Sequence, residues 1–137
     1  MDRIRLSSSE ETISFGKSYG SILSRGTTIA LLGDLGTGKT TFVQGLGLAL
    51  DIEDAIQSPT FNYLNIYQGT FPLYHFDLYR LDSERNLDTV GYEEYFYSRG
   101  ISVVEWADRA KNILPEKHIE VKLKHLGENK REIIIKK

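Results

Sequence analysis

The sequence contains no cysteine. This absence excludes thiol nucleophiles, thiolate zinc sites and disulfide bridges, and it suits a reducing compartment. The chain also has no apolar run approaching the roughly 20 residues of a membrane-spanning helix, and no apolar stretch of the signal-peptide type follows Met1-Asp2-Arg3. We therefore expect a cytoplasmic protein without a membrane partner.

An excess of positive charge is also missing. The 17 Lys and Arg residues against 19 Asp and Glu residues give a formal net charge of −2, so the chain lacks the global basic field that binds nucleic acid non-specifically. Direct binding of nucleic acid is disfavoured. The three histidines (His75, His118 and His125) are scattered and show no metal-ligand spacing.

The length and composition fit one domain. The 137 residues are 40% hydrophobic, which is enough for one ordinary core without disulfides or a structural metal. We expect a single domain over residues 1–137, with no internal repeat and no low-complexity segment.

The most specific motif is a phosphate-binding loop, G-x-x-x-x-G-K-T, at residues 33–40. It lies between an apolar run at 28–32 and a predicted helix at 41–50, which is the strand-loop-helix context that the motif requires. The glycines let backbone N–H groups point inward, while Lys39 reaches the β- and γ-phosphates and the Thr40 hydroxyl ligates Mg²⁺. The residues expected to contact the nucleotide are Gly33, Asp34, Leu35, Gly36, Thr37, Gly38, Lys39, Thr40 and Thr41.

The elements around the loop predict a mixed sheet. A helix is expected from about Ser7 to Arg25-Gly26, and short helices are expected between Leu81 and Arg99. The apolar run at 101–104 is typical of a buried parallel strand. The fold class is therefore α/β: a P-loop NTPase-like sheet with a parallel centre, antiparallel hairpin additions and helices on both faces. The predicted hairpins join 61–67 to 71–79 and 118–124 to 131–136, and a further helix is predicted at 107–114.

Two acids follow predicted strands, where a phosphate loop needs a partner for Mg²⁺. Asp77 follows Tyr74-His75-Phe76 near the end of the first hairpin, and Glu105 follows the apolar run at 101–104. Either acid is also explained as a solvated carboxylate at a strand end. Thr60, in Ser58-Pro59-Thr60, suits a hydroxyl that senses the γ-phosphate, although a plain turn explains the same residues. Arg80 is either a charge stabiliser or a surface ion-pair partner.

ATP is favoured over GTP. Asn129-Lys130-Arg131-Glu132 is only a faint match to the guanine-reading N-K-x-D motif, because it ends in Glu and falls in a predicted turn. Trp106 is expected to be a core or interface anchor and not a platform for base stacking.

Together these motifs resemble the bacterial TsaE (YjeE) family, ATPases of tRNA threonylcarbamoyladenosine synthesis. The resemblance rests on residues 33–41, on Ser-Pro-Thr-Phe at 58–61, on His-Phe-Asp-Leu-Tyr-Arg at 75–80 and on Val-Glu-Trp at 104–106. It implies that Lys39 binds phosphate, that Thr40 and Glu105 hold Mg²⁺, and that Thr60 is the switch hydroxyl. It also implies that Asp77 is the essential acid.

The same resemblance implies two protein partners, TsaB and TsaD. The family's ATP hydrolysis would support modification of adenosine 37 in tRNAs that read codons beginning with A, and the tRNA would be met only through the complex. Two other functions remain open from the residues alone. One is a small-molecule kinase, for which the region 81–99 offers only Arg85 and Arg99 besides acidic residues, and the other is a non-catalytic nucleotide-dependent binding module.

Overall fold

The computed structural model of the protein describes residues 2–34, 37–57, 59, 63–79 and 91–137. The strands are β1 (Asp2–Leu6), β2 (Thr28–Leu32), β3 (Leu64–Tyr67), β4 (Leu73–Asp77), β5 (Ile101–Glu105), β6 (Ile119–Gly127) and β7 (Lys130–Lys136). The helices are α1 (Ser9–Gly20), α2 (Lys39–Ala49) and α3 (Tyr92–Phe96), with a 3₁₀ helix at Ala107–Ile113. In this described part of the chain, the strands form one sheet in the order β1-β7-β6-β2-β5-β4-β3.

The centre of the sheet is parallel and its flanks are antiparallel, which confirms the predicted fold class. Strand β2 lies between β5 and β6 and is parallel to both, and β4 is parallel to β5. The pairs β3–β4, β6–β7 and β1–β7 are antiparallel. The carboxyl ends of β2, β4 and β5 therefore meet at one edge of the sheet, where ligands bind in open α/β folds.

The two central strands are apolar on both faces because both faces are covered. On β5, Val103 packs with α1 and α2, whereas Val104 packs with α3 and the 3₁₀ helix. On β2, Leu31 packs on the same side as Val103, and Ala30 packs on the same side as Val104. Continuous apolar runs are typical of such two-sided burial, so the predictions for 28–32 and 101–104 are confirmed.

Helix α1 begins as expected but ends early. The Ser8 hydroxyl accepts a hydrogen bond from the Glu11 backbone N–H at 3.1 Å, an N-cap that the run of serines predicted. The helix ends at Gly20 and not near Arg25-Gly26, because the following N–H groups of Ile22 and Leu23 bond to carbonyls only three residues back. Ile22, just beyond the helix, is 71% exposed.

Other boundaries differ from the sequence predictions. Strand β1 was not predicted; its residues Asp2–Leu6 pair with β7, a partner at the far end of the chain. Strand β3 begins only at Leu64, since Tyr63 has φ of +60°, and residues 58 and 60–62 lie outside the described part. The helix predicted at 107–114 is a 3₁₀ helix.

Aromatic residues of α3 pack in the core of the protein. Phe96 is buried against Phe76, with ring centroids 5.1 Å apart, and Tyr95 packs on Tyr74 at 4.8 Å. Tyr97 is the exception, because it is exposed. Residues 80–90 lie outside the described part, so the helices predicted after Leu81 are seen only from Tyr92. Among the helices that the structure describes, none combines the length and the apolar content of a membrane span.

Helices α1 and α2 touch through glycines. A Cβ built on Gly16 would lie 2.6 Å from the carbonyl oxygen of Phe42, and one built on Gly45 would lie 2.8 Å from the Cα of Gly16. The atom that a Gly45 Cβ would meet first is the carbonyl oxygen of Ile13. Because these neighbours are backbone atoms, a change of rotamer cannot relieve the overlap.

We expect Gly45→Ala to destabilise the protein although alanine favours helices. Forced overpacking costs about 1–3 kcal/mol, and backbone contact should bring the cost to the upper end, beyond the roughly 1 kcal/mol of gained helix propensity. Urea unfolding measures the difference, with Ser14→Ala on the exposed side of α1 as the control. A Gly45→Ala protein as stable as the wild type would contradict the close approach of the helices.

Candidate functional site

The site lies at the edge of the sheet where β2, β4 and β5 end. Strand β2 leads directly into the phosphate loop at Gly33, while Asp77 ends β4 and Glu105 ends β5. The register pairs Asp77 with Glu105 and Glu105 with Leu31. Both acids lie at the ends of strands, as the sequence predicted, and the sheet register makes them neighbours on adjacent strands.

Two loop positions require glycine for reasons that the structure makes explicit. Gly33 has φ of +141°, and a Cβ there would lie 2.6 Å from the carbonyl oxygen of Leu123. Gly38 has φ of +98°, and a Cβ there would lie 3.1 Å from the guanidinium of Arg131. Side chains at either position would be strained and crowded. Leu35 and Gly36 lie outside the described residues.

The loop leads into an anion-binding helix terminus. Gly38 is the N-cap of α2 and supplies no side-chain cap, and the first turn contains no acidic residue. The Thr37 hydroxyl donates to the carbonyl of Asp34 at 2.8 Å, which closes the turn before the helix. The first N–H groups of a helix carry partial positive charge. This terminus therefore suits a phosphate.

Lys39 places a positive charge in the same position. Its side chain is nearly buried, at 6% exposure, and its Nζ donates a hydrogen bond to the carbonyl oxygen of Gly33. Burial lowers the pKa of Lys39, and the carboxylates of Glu105, Asp77, Asp34 and Asp108 oppose this shift. The lysine is thus a partly desolvated cation surrounded by acids, which is typical of a site built for a multiply charged ligand.

Trp106 lies against this lysine. Nζ of Lys39 is 3.7 Å from the centroid of the indole ring, a cation–π contact. The Trp106 backbone is left-handed, with φ of 58° and ψ of 40°, a conformation that costs about 1–2 kcal/mol for a residue with a side chain. The ring also packs on Tyr79 at 4.9 Å. Trp106 was expected to be a core or interface anchor, and its contact with the loop lysine was not predicted.

The two acids differ in their environment. Glu105 is only 2% exposed, whereas Asp77 is half-buried and its Oδ1 accepts the backbone N–H of Tyr79 at 3.0 Å. Burial raises the pKa of Asp77; the Tyr79 N–H opposes this, Glu105 adds to it, and His75 and Lys39 oppose it. The structure thus separates the two carboxylates by burial, with Glu105 in the core and Asp77 more accessible.

His75 was overlooked. Its Nε2 is hydrogen-bonded to Oε2 of Glu105, and the imidazole is completely buried. A count of histidine spacing could not reveal this contact, because it joins residues 30 positions apart. The available signal was the alternation His75, Asp77 on one strand, which puts both side chains on the same face.

Arg131 was also overlooked, because the sequence 129–132 was considered only as a guanine motif. The structure confirms that these residues form a turn and the start of β7. The Arg131 guanidinium lies beside Gly38 and contacts the Thr12 hydroxyl at 3.4 Å. It adds a second cation near the start of α2.

The residues fit a nucleotide with Mg²⁺. A cavity of ≈ 820 Å³ borders the loop between Trp106 and β6, within the size range of ligand pockets. Hard cations prefer oxygen ligands and phosphates, and the Thr40 hydroxyl, at the start of α2, and the Glu105 carboxylate offer oxygens. Within the described residues, no group of three or more His, Asp or Glu side chains is arranged to hold a metal ion. Thr60 and Arg80 lie outside the described part.

Comparisons with known proteins place the chain among curated relatives. The sequence model of the family "Threonylcarbamoyl adenosine biosynthesis protein TsaE" matches residues 6–133. The chain is 40% identical over 128 residues to the tRNA threonylcarbamoyladenosine biosynthesis protein TsaE of Treponema pallidum, covering 93% of this chain and 95% of that protein. It is 38% identical over 125 residues to the Bacillus subtilis protein of the same name, covering 90% and 78%.

A solved structure shares the fold. The crystal structure of Bacillus subtilis YdiB matches with a TM-score of 0.84 and 34% identity, covering 96% of this chain and 82% of that chain. The family match spans the phosphate loop, both strand-end acids and Trp106. The chain therefore belongs to the TsaE family of threonylcarbamoyl adenosine biosynthesis proteins.

Proposed function

We propose that the protein binds ATP with Mg²⁺ and hydrolyses it slowly, in support of threonylcarbamoylation of adenosine 37 in tRNAs that read codons beginning with A. It would act in the cytoplasm together with TsaB and TsaD. The observation that carries the ATPase proposal is the buried Lys39 ammonium, which lies at an uncapped helix terminus and faces two strand-end acids.

Phosphate binding would use the loop and the start of α2. The N–H groups of the helix terminus and the Lys39 ammonium supply donors and positive charge in one place. To reach a phosphate, Lys39 would exchange its hydrogen bond with the Gly33 carbonyl for one with the ligand. Donors fixed in advance in this way stabilise the charge that develops on the transferred phosphoryl group.

The two acids would have different roles, Glu105 in binding Mg²⁺ and Asp77 in activating water. Thr40 and Glu105 are the proposed Mg²⁺ ligands, with Glu105 acting directly or through a bound water. A bound Mg²⁺ neutralises phosphate charge and orients the β- and γ-oxygens. Asp77, which is more accessible than Glu105, would orient the attacking water and accept its proton. Its raised pKa makes it a stronger base than an ordinary aspartate.

The low charge of the chain favours an indirect relation to tRNA. The net charge of −2 provides no positive field that would attract a phosphate backbone. The proposed partners TsaB and TsaD would therefore make the contact with tRNA.

The two alternative functions make different demands on the chain. A small-molecule kinase would need a pocket for the molecule that accepts the phosphoryl group. A non-catalytic binding module would not need a carboxylate that acts as a base at the position of Asp77.

Removal of the lysine charge should weaken nucleotide binding strongly. We expect Lys39→Met to weaken ATP binding by about tenfold to a hundredfold or more, since a charge-assisted hydrogen bond contributes about 1.5–3 kcal/mol. Trp106 is the only tryptophan, so its fluorescence reports on this site directly. Lys17→Met, at an exposed position of α1, is the matched control. Tight ATP binding by a folded Lys39→Met protein would refute the phosphate-loop assignment.

Turnover tests the ATPase and its partners. We expect slow release of phosphate by the protein with Mg²⁺ and faster release when TsaB and TsaD are added. Asp77→Asn should lower turnover by about a hundredfold or more, the usual contribution of a general base. Asp51→Asn, an exposed acid beyond the end of α2, is the control. Unchanged turnover in Asp77→Asn would indicate a binding module, and a phosphorylated metabolite would indicate a kinase.

The Asp77→Asn substitution should increase the free energy of unfolding near neutral pH. Burial raises the pKa of Asp77 in the folded protein above its unfolded value of about 3.9. The stability that proton binding provides is complete below that unfolded value and is lost as the pH rises through the folded pKa. We therefore expect Asp77→Asn to exceed the wild type in free energy of unfolding at pH 7, by a margin that shrinks as the pH falls through the folded pKa and reaches its minimum below about pH 4. Urea titrations at both pH values measure it; a margin that grows on acidification would contradict the raised pKa.

A further inference from the structure

His75 and Glu105 form a buried pair beneath the nucleotide site. Nε2 of His75 is hydrogen-bonded to Oε2 of Glu105, and the two side chains are 0% and 3% exposed. A carboxylate accepts hydrogen bonds, so we assign Nε2 of His75 as the donor in this contact. Charge-assisted hydrogen bonds of this kind are among the stronger ones in proteins.

The sheet register brings the pair together. On the parallel strands β4 and β5, His75 is aligned with Val103 and Asp77 is aligned with Glu105. Side chains two residues apart on a strand share a face, so the imidazole lies one step deeper in the core than the two acids. From that position its Nε2 contacts Oε2 of Glu105 on the neighbouring strand.

Stability alone does not explain an imidazole at this position. Neighbouring positions on the same face, Leu73 and Val103, are apolar and fully buried. The second ring nitrogen of His75, Nδ1, is buried without a hydrogen-bond partner among the described residues. An unsatisfied buried polar group costs about 1–3 kcal/mol, and an apolar side chain would avoid that cost. The histidine is therefore better explained by what it does to Glu105.

We propose that His75 is a positioning residue for Glu105. By holding Oε2, it fixes the rotamer of the carboxylate and leaves Oε1 as the oxygen that meets the metal side of the site. The inference rests on the proposed function, in which Glu105 is a ligand of Mg²⁺ or of its bound water. Residues that orient a metal ligand typically contribute tenfold to a hundredfold to metal affinity.

The test separates metal coupling from nucleotide binding. Binding of a non-hydrolysable ATP analogue is measured by Trp106 fluorescence, first in EDTA and then as Mg²⁺ is titrated. In His75→Leu, we expect analogue affinity in EDTA to stay within about twofold of wild type, while the Mg²⁺ concentration for half-maximal effect rises about tenfold to a hundredfold. His75→Gln should retain most of the wild-type Mg²⁺ response, because its amide nitrogen reaches the position of Nε2.

A matched pair keeps the test valid if His75→Leu does not fold. The amide of His75→Asn reaches only the position of Nδ1, so it should lose the Mg²⁺ response that His75→Gln retains. Equal Mg²⁺ responses in Gln and Asn variants, or a loss of affinity in His75→Leu that is as large in EDTA as in Mg²⁺, would overturn the positioning role. If Mg²⁺ has no effect on analogue binding by the wild type, the proposed function fails. If the wild type responds to Mg²⁺ and the His75 variants respond equally, only the positioning role of His75 fails.

Discussion

The burial of the Lys39 ammonium is the constraint on which the rest of the site depends. A desolvated charge is costly unless it is paired and hydrogen-bonded, and here a carbonyl oxygen, an indole face and several carboxylates meet that need. Those partners come from the ends of separate strands. The parallel arrangement of β2, β4 and β5 brings these strand ends together. The topology of the sheet therefore determines which charged groups surround Lys39.

The local parts of this design can be predicted from the sequence. The phosphate loop, its strand and its helix follow from one octapeptide, and the buried strand before Glu105 follows from a short apolar run. These features depend on residues adjacent in the chain, which is where propensity and spacing are informative. The hairpin at 118–136 was predictable for the same reason, because its strands are joined by a short turn.

Contacts between distant segments could not be predicted in this way. Strand β1 forms by pairing with the edge of β7. Residues 2–6 alone show only a short mixture of basic and apolar side chains, which does not predict a strand. The pairing of His75 with Glu105 depends on register, and the position of the Trp106 ring depends on a left-handed backbone that few sequences signal. The unequal burial of Asp77 and Glu105 has the same origin. Each is a property of the assembled sheet.

The glycine contact between α1 and α2 has a mechanical consequence. Where side chains separate two helices, small rotamer changes let one slide over the other, but here backbone meets backbone at Gly16 and Gly45. Close contact of backbone atoms resists sliding of one helix over the other, so α1 is coupled to α2 and to the phosphate loop that leads into it. We therefore expect any adjustment of the site to a ligand at the opposite wall, where β4 ends at Asp77 and β5 ends at Glu105.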